Sequence, residues 1–176
     1  MNPGGPFEGE DGMETIDLDR ADPGFQKELA EAPGGDRISA CFMCRTCVAS
    51  CPITEVNETF HPLRIIRMAL YGFKEDVLSS DFIWLCSSCY ACQERCPQGV
   101  GIADFMTLLK NMAVREGYMP AGIRVQQDLV KGEGRIYPID DFDNKKRAKA
   151  GLPPLPTRCR DVAVLFPEKR AASGGE

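Results

Sequence analysis

The sequence predicts an all-α fold, and three observations support that prediction. Apolar residues recur at helical spacing in two segments, one after His61 and one after Gly101. No segment alternates apolar and polar residues with the period of two that marks a half-buried strand. The 34 residues between Cys51 and Cys86 leave room for a helix and a half. We therefore expect packed helices, rather than a small sandwich of strands, to form the core.

Residues 1–21 begin the chain with many glycines and acidic side chains. So few large apolar groups cannot offset the entropy that ordering would cost, and we predict a flexible tail. This tail either only solubilises the chain or becomes ordered on a partner. Asp22-Pro23 then has the form of a helix N-cap followed by proline at the first helical position, which predicts a short helix ending at Pro33.

Two copies of one cysteine motif come next. Residues 41–52 and 86–97 both read C-x2-C-x2-C-x3-C-P, and each cysteine of the second copy lies 45 positions after its counterpart. This run is typical of bacterial iron–sulfur proteins, in which three cysteines hold one cluster and the fourth ligates the other cluster of a pair. The sequence therefore predicts two 4Fe-4S clusters.

The same rule divides the eight motif cysteines into two crossed sets, each drawing on both copies of the motif. The predicted ligands of the first cluster are Cys41, Cys44, Cys47 and Cys96. The predicted ligands of the second cluster are Cys86, Cys89, Cys92 and Cys51. Because each set joins distant parts of the chain, we expect cluster binding and folding to be coupled.

Disulfides and structural zinc are the competing interpretations of these cysteines. Disulfides need an oxidising compartment, and the chain does not open with the basic start and apolar core of a signal peptide. Structural zinc favours C-x2-C pairs, but four cysteines in one run of eleven residues, present twice, are more sulfur than a tetrahedral zinc site uses. We therefore favour the two iron–sulfur clusters.

Between the two motifs, His61-Pro62 begins an amphipathic helix that Gly72 is expected to close. His61 either caps this helix or forms a hydrogen bond near a cluster, and we favour the cap. A short helix over residues 82–85 follows, with Asp81 among its N-cap candidates. Trp84 precedes the second motif closely enough that we expect it to shield a cluster from water.

After the second motif, a glycine turn leads into the clearest helix of the chain. Apolar residues form one continuous stripe from Ile102 to Ala113, and Gly117 lies just past the predicted end. We interpret the stripe as core and expect it to pack on the helix that begins after His61. Residues 22–117 are thus predicted to form the two-cluster domain.

Residues 118–176 contain many prolines and glycines and only short apolar pieces. Helices are possible near residues 122–130 and 141–150. So long a segment with little core of its own predicts an extended C-terminal arm that binds a partner. The alternative is an unstructured tail. Cys159, which has no C-x2-C neighbour, is most simply a spare thiol.

Composition excludes several classes of function. The net charge of -5 and the pI near 5.1 argue against nucleic acid or an anionic membrane as the main partner. No apolar run approaches the roughly 18 residues of a membrane span, so we expect a soluble, cytoplasmic protein. No dinucleotide or P-loop motif is present, and one histidine leaves no acid–base set, so we predict no catalytic residue.

As a set, these motifs resemble the C subunit of heterodisulfide reductase. The similarity spans roughly residues 22–155 and is carried by the paired cysteine runs and three further stretches. These stretches are Phe60-His61-Pro62-Leu63-Arg64, the residues from Trp84 to Cys92, and Cys96-Pro97-Gln98-Gly99-Val100. The cysteine runs alone are shared with iron–sulfur subunits of succinate, glycolate and glycerol-phosphate oxidoreductases.

The resemblance implies an α-helical ferredoxin-like subunit of anaerobic metabolism. Its two 4Fe-4S clusters would relay electrons between two partners of the heterodisulfide reductase complex. One partner is a flavin/iron–sulfur protein, the A-type subunit, and the other is the catalytic B-type subunit, which reduces a disulfide. An alternative is the iron–sulfur subunit of a flavin-linked dehydrogenase of the glycolate or glycerol-phosphate type. A structural metal scaffold is the third hypothesis.

Overall fold

The computed structural model describes residues 17–57 and 59–165 of the chain. These residues form helices joined by turns and contain no strand, which confirms the all-α prediction. The chain divides into two compact units, Met1–Tyr118 and Met119–Glu176. The predicted acidic tail lies largely outside the described residues. Within those residues, no helix combines the length and the apolar character needed to cross a membrane.

In the described part of the first unit, a short 3-10 helix, Leu18–Arg20, comes first and is followed by helix α1, Phe25–Glu31. Arg20 forms an ion pair with Asp76, whose side chain is buried, and so fixes this start to the core. Helix α1 begins later than Asp22-Pro23 predicts. The Asp22 carboxylate accepts a hydrogen bond from the Gly24 amide at 2.8 Å and thereby shapes the turn before the helix.

Each cysteine run contains a short helix that the sequence did not predict. Helix α2, Thr46–Ala49, lies in the first run and α7, Ala91–Glu94, in the second, and the two pack against each other. A third short helix, α3, Pro52–Val56, continues directly from the first run with its proline at the first helical position. The packing of α2 on α7 brings the two cysteine runs side by side.

Three helices fill the link between the cysteine runs: α4, Pro62–Leu70; α5, Lys74–Leu78; and α6, Phe82–Leu85. The His61 cap is confirmed, because its ring Nδ1 accepts a hydrogen bond from the Arg64 amide at 3.2 Å. Gly72 follows the end of α4 with a φ of +85°, as expected of a residue that closes a helix. Helix α5 has five residues, too few to show a period in the sequence.

Helix α8, Ile102–Arg115, supplies much of the core, and Phe105, Leu109 and Ala113 are fully buried along it. The sequence predicts that α8 packs on α4, and the two helices contribute to one continuous apolar core. Helices α5, α6 and α7 are close neighbours of α8, while α4 packs on α1, α2 and α5.

The second unit contains helices α9, Ala121–Glu133, and α10, Asp141–Lys149, and a 3-10 helix, Arg160–Leu165. The two helices confirm those proposed near residues 122–130 and 141–150. Polar contacts hold the unit together: Asn144 exchanges two side-chain hydrogen bonds with the backbone of Leu155, and the Cys159 amide donates to the Glu133 carbonyl at 2.9 Å. No side chain of α9 or α10 is buried.

Candidate metal centre

The eight motif cysteines line two separate cavities in the first unit. One cavity is lined by Cys41, Cys44, Cys47 and Cys96. The other is lined by Cys51, Cys86, Cys89 and Cys92. We call these groups the first set and the second set. They are the groupings of the crossed rule, and ligation by each cysteine stays a prediction.

Packing of α2 on α7 explains how the sets cross. Cys51 stands at the C-terminal end of the first run, immediately before α3, and lines the cavity of the second run. Cys96 occupies the same position of the second run and lines the cavity of the first. Because the runs lie side by side, each fourth cysteine is nearer to its neighbour's cavity than to its own.

Left-handed backbone in the cysteine runs wraps the chain around each cavity. Four non-glycine residues have positive φ, and they occupy equivalent positions of the two copies: Met43, Arg45, Ser88 and Tyr90. A left-handed residue other than glycine costs roughly 1–2 kcal/mol. Strained backbone of this kind concentrates at functional sites, where the surrounding structure fixes it.

Apolar side chains line much of both cavities beside polar residues such as Arg45 and Ser88, and Ile102 lines both of them. Ile102 is buried at the start of α8, so it lies between the two sets. Leu63 completes the first cavity, while Met106 is among the residues that complete the second. Trp84 lines neither cavity but packs against the core, and its shielding of a cluster stays a prediction. Leu63 and Ile102 lie at the starts of α4 and α8, and this position is the sequence signal that could have identified them as cavity-lining residues.

Comparison with known proteins shows what kind of centre this is. Residues 37–100 match the 4Fe-4S dicluster domain, a segment that contains both cysteine runs. The chain is 41% identical over 144 residues to the C subunit of ferredoxin:CoB-CoM heterodisulfide reductase from Methanosarcina mazei, covering 82% of this chain and 88% of that one. It is 37% identical over 135 residues to the C subunit of H2:CoB-CoM heterodisulfide,ferredoxin reductase from Methanothermobacter thermautotrophicus, covering 75% and 72%.

The chain belongs to the family of heterodisulfide reductase C subunits. This confirms the resemblance that the sequence motifs carry. It also confirms the cofactors: the chain is an iron–sulfur electron-transport protein with two 4Fe-4S clusters. A third relative, the second C-type iron–sulfur subunit of CoB–CoM heterodisulfide reductase in Methanocaldococcus jannaschii, is 36% identical over 148 residues, which cover 80% of this chain and 78% of that one.

The donor set fits the clusters of this family. Thiolate is a soft ligand and is the usual one for iron–sulfur clusters, and each cavity offers four cysteine sulfurs. Within the part of the chain that the structure describes, no three His, Cys, Asp or Glu side chains are grouped as a site for a single metal ion. When bound, a 4Fe-4S cluster supplies a centre that accepts and releases one electron at a time.

Burial controls the protonation of the inner cysteines of the two runs. Desolvation, followed by repulsion from neighbouring cysteines, raises the pKa of Cys47 to about 11 and likewise that of Cys92. The two residues are counterparts in the two runs. Four unpaired thiolates around one apolar cavity are therefore unfavourable, and iron would compensate their negative charge.

The outer cysteine of the first run has a different environment. Cys44 is exposed, and a hydrogen bond with the Thr46 hydroxyl is the main cause that lowers its pKa. His61 lines neither cavity, and partial burial, followed by the charges of Arg45 and Arg64, lowers its pKa. The neutral imidazole that results suits its role as a hydrogen-bond acceptor at the start of α4.

Proposed function

We propose that this chain is the electron-relay subunit of a heterodisulfide reductase-like complex in the cytoplasm. Electrons pass through its two clusters between a flavin/iron–sulfur partner of the A type and a catalytic partner of the B type. The observation that carries the proposal is the pair of separate four-cysteine cavities on either side of Ile102. Two neighbouring centres allow an electron to enter from one partner and leave to another.

In this proposal the first set of cysteines ligates one cluster and the second set ligates the other. The grouping of four sulfurs around each cavity supports this assignment, as does the crossed rule for paired runs. The buried side of each set faces the apolar core. The protein thus holds both clusters away from bulk water on one side and open to partners on the other.

Each set has one exposed cysteine, Cys44 in the first and Cys89 in the second. An exposed aromatic residue stands near each of them: Phe42 is 58% exposed, and Tyr90 is 44% exposed. Aromatic side chains are enriched in protein interfaces because they bury a large area. We therefore infer that one partner docks over Cys44 and the other over Cys89.

Residues 119–176 are proposed to bind a partner as well. Their helices bury no side chain, and they present exposed Ile136, Tyr137 and Phe142. The chemistry of the disulfide substrate is assigned to the catalytic partner. The single histidine of this chain, His61, is already engaged as the cap of α4.

Purification of the native complex under anaerobic conditions tests the proposal. A tagged chain is isolated from its own organism, with an untagged culture as the control, and the co-purifying proteins are sequenced. We expect a flavin/iron–sulfur protein together with one that carries paired C-C-G cysteine motifs. Recovery of a lone flavin-linked dehydrogenase would contradict this function and favour the glycolate or glycerol-phosphate type.

A further inference from the structure

The two cysteine sets differ in the hydrogen bonds that reach their sulfur atoms. In the first set, the Cys44 sulfur and the Thr46 hydroxyl oxygen are hydrogen-bonded at 3.2 Å. The Val100 amide donates to the Cys96 sulfur of the same set at 3.4 Å. A cysteine that ligates iron has lost its proton, so in the loaded protein Thr46 is the donor to Cys44.

The internal repeat supplies the comparison for Thr46. Its counterpart 45 positions later is Ala91, which has no hydroxyl group to donate. Thr46 and Ala91 are both the first residues of their short helices and follow residues with nearly the same left-handed φ, 66° for Arg45 and 64° for Tyr90. The backbone around the two positions is therefore alike, and the side chain makes the difference.

The counterpart of Val100 also lacks the sulfur contact. Glu55 occupies that position in the first copy, and its amide donates to the Cys51 carbonyl oxygen at 3.3 Å because α3 continues the chain as a helix. The second copy has a turn at Gly99 instead, with a φ of +60°, and the Val100 amide therefore lies near the Cys96 sulfur. Both extra hydrogen bonds thus belong to the first set.

Two other features are similar in the two sets. A backbone amide lies close to the inner cysteine in both runs, that of Val48 at Cys47 and that of Cys92 at its own sulfur. A cation lies near each set, since Arg45 lines the first cavity and the Lys110 ammonium group donates to the Cys86 carbonyl at 2.9 Å. The two sets differ instead in the hydrogen bonds that reach their cysteine sulfurs.

We propose that Thr46 tunes the first-set cluster to a higher reduction potential than the second-set cluster, so that an electron shared by the two resides at the first set. A hydrogen bond to a ligating sulfur stabilises the extra negative charge of the reduced cluster and so raises its potential. The inference rests on the proposed function, in which both clusters carry electrons. The step moves one electron, which oxidises the second-set cluster and reduces the first-set cluster, and no proton or covalent bond moves.

A redox titration of the full chain with both clusters loaded, followed by electron paramagnetic resonance, tests this inference. The wild type is expected to take up its electrons in two separate waves. The upper wave, at the less negative potential, reduces the first-set cluster, and the lower wave reduces the second-set cluster. Thr46→Val, which removes the hydroxyl and keeps the shape, is expected to shift the upper wave to a more negative potential. Thr46→Ser, which keeps a hydroxyl group, is expected to leave that wave near its wild-type position. Iron and sulfide analysis of each variant verifies that both clusters are present.

Ala91→Thr is the matched control at the equivalent position of the second run. Its upper wave is expected to stay in place, because the change lies beside the other set. The inference is overturned if Thr46→Val leaves the upper wave unmoved, if it shifts the lower wave, or if Ala91→Thr moves the upper one. A chain that shows no reducible cluster at all would instead contradict the proposed function.

Discussion

Cys51 and Cys96 are the residues that join the two cysteine runs. Each is the fourth cysteine of its own run and lines the cavity of the other run. The sequence rule for paired runs predicts this exchange without any knowledge of the fold. The structure adds its physical cause, which is the packing of two short helices that the sequence did not reveal.

Serine substitutions of these two cysteines test the crossed ligand sets. Cys51→Ser is expected to weaken or remove the cluster of the second set, because serine is a poorer ligand for iron than thiolate, and Cys96→Ser that of the first. Electron paramagnetic resonance of each reduced variant shows which signal is lost. Cys159→Ser is the control, since Cys159 lines neither cavity. If each serine disturbed only the cluster of its own run, the crossed assignment would be wrong.

His61 gives the stability of the chain a dependence on pH. Its pKa is lowered from 6.5 in the fold, chiefly by burial and then by the charge of Arg45. The unfolded chain therefore binds the proton more readily than the folded chain does. The stability that His61 contributes is fully present above pH 6.5 and is lost as the pH falls toward the lowered folded value.

We expect thermal unfolding between pH 8 and pH 5.5 to show this loss. Replacement by asparagine keeps a helix cap that does not titrate. His61→Asn is thus expected to lose less stability over this range than the wild type, while His61→Ala should lower stability by about 1 kcal/mol at neutral pH. If the wild type and His61→Asn lose the same stability between these pH values, groups other than His61 cause the acid sensitivity.

At the scale of elements, Gly72 joins the end of α4 to the start of α1. Its carbonyl oxygen accepts a hydrogen bond from the Asp22 amide at 2.7 Å, and its φ is +85°. A Cβ atom placed on Gly72 would lie 2.5 Å from the Asp22 carbonyl oxygen. Backbone atoms cannot yield as a side-chain end can, so the two helices would have to separate.

Gly72→Ala is therefore expected to be much more destabilising than Gly117→Ala. Gly117 has a similar φ of +90°, but a Cβ atom there would meet nothing within 4 Å. Both variants bear the cost of a left-handed alanine, roughly 1–2 kcal/mol. Only Gly72→Ala adds the clash with Asp22. Chemical unfolding under anaerobic conditions measures the free energy of unfolding that each variant loses. Equal losses for the two variants would contradict the close approach of α1 and α4.

The elements differ in how far the sequence could predict them. Helices α4 and α8 were predictable because they are long enough for apolar residues to repeat on one face. Helix α5 has five residues and α2 has four, so neither completes enough turns to show a period. The start of α1 was misplaced because an aspartate before proline can shape a turn as readily as it can cap a helix.

The candidate site was more predictable than the packing around it. The spacing of the cysteines depends on local ligand geometry, and the two sets followed directly from it. Ile102 lines both cavities and Met106 lines the second, which depends on the tertiary packing of α8 rather than on local spacing. Trp84 was expected there because it is close to Cys86 in sequence, yet neither cavity includes it.

In the whole molecule, clusters held by the proposed ligand sets would act as cross-links within the first unit. Each set holds residues from both runs, and these runs are separated by the helices that build the core. Removal of the iron leaves apolar cavities and buried thiols in place of bonded ligands. The free energy of cluster binding therefore contributes to the free energy of folding.

A chelator that removes the iron is therefore expected to lower the helix content and the thermal unfolding temperature together. Circular dichroism recorded while the cluster absorbance bleaches follows both changes in one sample. Restoring iron and sulfide should recover the signal. The second unit provides an internal reference, because it contains no motif cysteine. A cluster-free chain with unchanged helicity and unfolding temperature would show that the fold does not depend on the clusters.

This protein carries electrons on two 4Fe-4S clusters, and we propose that each is held by four cysteines from both runs. Spin quantification by electron paramagnetic resonance on the dithionite-reduced full chain, combined with iron and sulfide analysis, tests this directly. We expect about eight iron and eight sulfide per chain, with about two spins on full reduction, one for each cluster. A colourless zinc-loaded protein, or an iron-loaded protein that stays silent after reduction, would contradict it.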